Sequence, residues 1–99
     1  MGSAVKTAGV ATRADALDAF RAERCVAPRS WGNGPDDRYA RHEHDFHQVL
    51  FCLDGSIVFH TDHGDVTLEA GDRLDLAPGT AHGATVGPDG CECIEAQRR

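Results

Sequence analysis

The spacing of apolar residues changes at Pro28. Upstream of it, Leu17, Phe20 and Arg21 stand at helical spacing, with the acidic Asp15 placed where a helix starts. This predicts a short helix over about residues 15–24, ending before Ala27-Pro28 and plugging or covering one end of the downstream domain. Residues 1–13 are small and polar without a period, and read as a mobile lead-in. From Pro28 onward the alternation has period two, with turn residues every eight to twelve positions, as in an all-β sandwich or barrel. The expected strands are Arg29–Trp31, Arg38–His44, Gln48–Leu53, Ser56–His60, Val66–Glu69, Arg73–Leu76, His82–Val86 and Cys91–Ala96. Asp54-Gly55 reads as a hairpin turn and Gly87–Gly90 as a loop. The chain thus divides into a lead-in with a short helix, residues 1–27, and a β domain, residues 28–99.

One expected strand is apolar on both faces. Val49, Phe51 and Leu53 point one way, Leu50 and Cys52 the other. Such a strand is covered on both sides. In a small closed sheet one face lines the lumen, and the other must meet a second sheet or a second subunit. A homodimer is therefore expected.

Composition narrows the function classes. Ninety-nine residues make one domain. The net charge of −6 argues against nucleic acid or an anionic membrane as the main partner and leaves small molecules open. The first twenty residues lack a continuous apolar stretch and contain Asp15 and Asp18, so a signal peptide is not expected. Four irregularly spaced cysteines do not form a secreted disulfide framework, which points to a reduced, cytoplasmic protein.

The candidate chemistry lies in RHEHDFHQVLFCLDG, residues 41–55. On a strand His42 and His44 share a face while Glu43 points away. Gln48 joins them if that parity continues, although a turn near Asp45-Phe46 interrupts it. His82, after the tight Pro78-Gly79 turn, is a further candidate. Two imidazoles on one face with a third from a distant strand suit a first-row metal and leave positions open for water or substrate. The plainer reading is that these are exposed strand and turn histidines.

Other residues have bland readings beside the functional ones. Cys52 shares parity with Gln48 and reads as a small buried hydrophobe facing the lumen. Cys91 and Cys93 share a face and read as core packing, while His60 and His63 flank a solvated hairpin tip. Trp31 and Tyr39 suit either a pocket wall or the core. Arg38 and Arg41 stand near the expected mouth.

Over about residues 39–86 the chain resembles a single-domain cupin. The first cupin motif is matched by His42-Glu43-His44, with Gln48 in the place of the usual Glu, and by Gly55. The second is matched by Gly71, Pro78-Gly79 and His82, with Ala77 and Val86 in the places of the usual Pro and Asn. The resemblance implies a small jelly-roll β-barrel with one divalent transition metal per chain, whether Fe, Zn, Mn, Ni or Cu. His42, His44 and His82 would be its imidazole ligands. Gln48, a neutral amide where the family has a carboxylate, would be a weaker fourth ligand, with His47 as the alternative. The resemblance implies one of two functions: a metal-dependent enzyme of dioxygenase or isomerase type acting on a small molecule, or a non-catalytic metal- or ligand-binding module.

Overall fold

A computed structural model of the protein describes residues 2–98. In chain order its elements are β1 (Ala4–Ala8), α1 (Arg13–Ala22), β2 (Cys25–Asn33), β3 (Arg38–His42), β4 (His47–Thr61), β5 (Gly64–Glu69), β6 (Asp72–Leu76) and β7 (His82–Arg98). Strands order as β1-β6-β4-β7-β2, with β3 also on β7 and β5 also on β4, all antiparallel. This is the all-β jelly roll that the alternating pattern predicts, with one short helix added.

Two long strands make the barrel. β4 runs 15 residues and β7 runs 17, and each changes neighbours along its length. The first part of β4, Gln48 to Phe51, pairs with β6, and the last, Ser56 to Thr61, pairs with β5. β7 pairs with β3 from His82 to Thr85 and with β2 from Cys91 to Arg98. The corner falls at Asp54-Gly55, where the sequence predicts a hairpin; the strand instead bends and continues. The register slips there between Cys52 and Asp54 and again between Gly55 and Ile57. Gly55 has φ +69°, and a Cβ on it would lie 2.0 Å from the Gly90 carbonyl oxygen. Gly90, at φ +78°, lies within β7 rather than in a loop. Asp-Gly signals positive φ, which a bulge at a barrel corner uses as readily as a reverse turn.

The amino-terminal part also departs from expectation. Within the supposed mobile lead-in, Ala4–Ala8 pairs with β6 as an added strand. The helix begins at Arg13, where Thr12 caps it by accepting from the Asp15 backbone N–H at 3.2 Å. It covers a face of the sheet, not an end of the barrel. Ala16 and Phe20 bury against Val49, Phe51, Ile94 and Ala96, with the Phe20 and Phe51 rings 5.4 Å apart. Each such ring contributes on the order of 2 kcal/mol by leaving water. At Val49 and Phe51 the outer apolar face of β4 is thereby covered by α1 of the same chain.

An ion-pair clasp fixes the end of this helix. Arg73 donates to Glu23 just beyond α1 at 2.7 Å and to Asp75 beside it on β6 at 2.7 Å, and Arg98 reaches Glu23 at 3.1 Å. The inner face of the barrel carries Leu50, Cys52, Ile57, Leu68, Leu74 and Val86 as its aliphatic core. Among the described residues no helix is long and apolar enough to cross a membrane.

Candidate metal centre

Strand pairing brings the histidines together. β3 ends at His42, directly opposite His82 at the start of β7. Their ring centroids are 4.4 Å apart. His44 lies past the end of β3, so its place depends on the loop rather than on strand parity. That loop is tied down by the second motif: the Gly79 N–H donates to the His44 carbonyl at 2.8 Å. Phe46 stacks on the His44 ring at 4.8 Å and 22°. The His44 centroid ends 4.9 Å from His42 and 5.4 Å from His82. One nitrogen from each of the three rings lies within 4.8 Å of the others.

The chemistry of this donor set fits a divalent transition metal. The Nδ1–H of His42 donates to the Ala40 carbonyl at 2.8 Å, and that of His82 to the Thr80 carbonyl at 2.8 Å. Each bond fixes the tautomer and leaves the Nε2 lone pair free, the outer-shell arrangement of metal-bound imidazoles. Burial pushes His44 below the ordinary imidazole range, helped by the nearby His42 ring. Burial does the same to His82, although its hydrogen bond to Thr80 opposes the shift. Neutral imidazole is the ligating form, so the site favours it.

Gln48 supplies a second sign. The residue is 4 % exposed, and its Oε1 is the buried side-chain atom without a hydrogen-bond partner among the described residues. A buried unpaired carbonyl costs about 1–3 kcal/mol. It lines the same cavity as His42, His44 and His82. His47, the alternative ligand, faces the other way; its Nε2–H donates to Asp75 at 2.8 Å within the ion-pair clasp. His47 does not line the cavity that holds the other three histidines.

The cavity holds about 140 Å³. Trp31 and Tyr39 wall it as the sequence allows, edge to face with ring centroids 5.3 Å apart. Arg38 and Arg41 do not line it, and Arg41 pairs with Asp62 instead. Sequence reasoning missed Arg29, Phe59 and Glu95, all of which do. Glu95 was legible in principle, since it shares parity with Cys91 and Cys93, which face the core. Those two thiols and Cys52 pack inside the barrel as expected. His60 donates from Nδ1 to Asp65 at 2.8 Å near the exposed β4–β5 tip, apart from the cavity.

The barrel and the motif histidines at one end of its lumen define a small cupin. The AraC-like ligand binding domain model matches residues 30–93, and the chain belongs to that family. None of the curated proteins matches its sequence. Among solved structures it is similar to a cupin-2 domain-containing protein from Shewanella frigidimarina, at 19% identity and TM-score 0.63, covering 73% of this chain and 69% of that one. It is also similar to a conserved double-stranded β-helix protein from Klebsiella pneumoniae, at 25% identity and TM-score 0.62, covering 75% and 68%. A third similar structure is the DMSP lyase DddQ from Ruegeria pomeroyi, at 20% identity and TM-score 0.69. It covers 74% of this chain but 38% of the lyase.

Proposed function

We propose that the chain holds one divalent transition metal ion through His42, His44 and His82, with Gln48 Oε1 as a weak fourth donor, and acts on a small molecule in the lumen. The convergence of three imidazole nitrogens within 4.8 Å carries this reading. Imidazole nitrogens gathered this closely offer their lone pairs to one common cation. A metal bound there supplies Lewis acidity toward a ligand oxygen, and iron adds reactivity with dioxygen. The chain's own part is to orient the rings through Ala40 and Thr80, to wall the ligand on one side with Trp31 and Tyr39, and to limit water around it. The occurrence of a lyase among the similar structures supports an enzyme of this kind.

The family match favours a second reading, a non-catalytic module that binds its ligand and turns nothing over. Elemental analysis of protein made without a histidine tag tests the shared premise. The expected result is near one metal per chain, recovered after chelation and reconstitution. Absence of stoichiometric uptake of Fe, Zn, Mn, Ni or Cu removes the metal reading and leaves the ligand-binding one. With metal bound, turnover of small diols, diketones or thiols, set against binding alone, separates enzyme from module.

A further inference from the structure

Among the described residues the cavity wall contains one carboxylate, Glu95, beside the candidate metal centre. It stands on β7 opposite Leu50 of β4 and Arg29 of β2, so it faces inward while its neighbours Ile94 and Ala96 pack under α1. The side chain is 17% exposed. Its Oε1 accepts from the Trp31 indole N–H at 2.6 Å. Its Oε2 accepts no hydrogen bond from any described residue. Arg29 is the nearby cation, but its guanidinium is 3.8 Å away and 74% exposed, a distance and exposure at which pairing contributes little. Anchoring an indole needs only a neutral acceptor, and a carboxylate at a half-closed site costs desolvation that an amide would avoid. The charge is therefore in excess of what the fold requires.

Resting on the reading of the lumen as the ligand site, we propose that Glu95 is its specificity-determining residue, accepting a hydrogen bond from the ligand. The arrangement sets the ligand class. A cavity of about 150 Å³ holds a benzene ring, so a lumen of about 140 Å³ takes a compound on the order of six non-hydrogen atoms. That compound presents an oxygen to the imidazole end and an N–H or O–H group to Glu95. A carboxylate directed at Glu95 is rejected by like charge, which excludes small dicarboxylates.

The test compares two bidentate ligands of equal size, each a monoanion once bound to metal, on cobalt(II)-loaded protein, followed by visible spectroscopy. Acetohydroxamate binds metal and keeps an N–H; glycolate binds metal and keeps an outward carboxylate oxygen. Wild-type protein is expected to prefer acetohydroxamate. Glu95→Gln keeps an acceptor for Trp31 but loses the charge, so acetohydroxamate binding should weaken about tenfold and glycolate binding should tighten about tenfold. Affinities for both ligands moving together in Glu95→Gln would show a mere wall residue and overturn the proposal. Failure to load cobalt would count against the metal reading alone. Metal-free protein is then titrated with acetamidinium and acetate by NMR. A preference for acetamidinium that Glu95→Gln abolishes supports the role of Glu95, and equal binding in both proteins refutes it.

Discussion

His47 and Gln48 are neighbours in sequence, and the two faces of β4 treat them oppositely. On the outer face His47 donates to Asp75, which Arg73 also holds, and Arg73 in turn grips Glu23 beyond the helix. Every polar group in that clasp has a partner across elements, which is what a structural network requires. On the inner face Gln48 Oε1 has none, and it sits in a cavity with three converging imidazoles. Satisfied polarity marks the part that holds the fold together. Unsatisfied polarity marks the part proposed as the ligand site.

Substitutions on the two faces should therefore fail in different ways. The largest effect expected is on metal: His82→Ala should lower affinity by more than about a hundredfold, read by competition with a chelator, since a three-ligand site loses its most buried member. Arg73→Met should leave metal binding intact and cost about 2 kcal/mol in urea unfolding, because Glu23 and Asp75 lose their shared cation in a partly exposed setting. Gln48→Leu should move the two properties in opposite directions. Without metal it should gain about 1 kcal/mol by removing the orphaned carbonyl. With metal its affinity should fall about tenfold. A variant that loses both stability and metal together would break the distinction between the faces.

The smallest effect expected is a pH dependence confined to the clasp. Hydrogen bonding to Arg73 holds the Glu23 carboxyl below its ordinary value of 4.5. Burial pulls Asp75 upward, but Arg73 and His47 outweigh it and hold it below 3.8. Groups depressed in the folded state stabilise it fully above those ordinary values, and that contribution is lost as the pH falls below them. The urea midpoint should thus drop between about pH 5 and pH 3. Glu23→Gln should flatten the drop, and an unchanged profile in that variant would show that the clasp contributes nothing.

Much of this architecture is legible in the chain. Period-two alternation from Pro28 carries the barrel, and the parity of Val49 and Phe51 against Leu50 and Cys52 separates its two faces correctly. The motif spacing singles out His42, His44 and His82 from the sequence alone. The features that escape depend on long-range partners. Ala4–Ala8 is too small and polar to announce a strand and becomes one only because the edge of β6 is there to pair with it. Gly55 signals positive φ without saying whether the chain reverses or merely bends, and Gly90 across the corner decides it. The helix that covers Val49 and Phe51 lies far upstream, so the strand's own alternation does not name that cover. Glu95 escapes because the parity it shares with Cys91 and Cys93 says that it faces inward, not what it faces there.

X-ray absorption at the edge of the bound metal, on protein made without a histidine tag, tests the central claim most directly. The expected result is a first shell of about three imidazole nitrogens at about 2.0–2.1 Å with the remainder oxygen, a pattern that His82→Ala disrupts. A sulfur shell near about 2.3 Å would place the metal at the buried thiols of Cys52, Cys91 and Cys93 and contradict it.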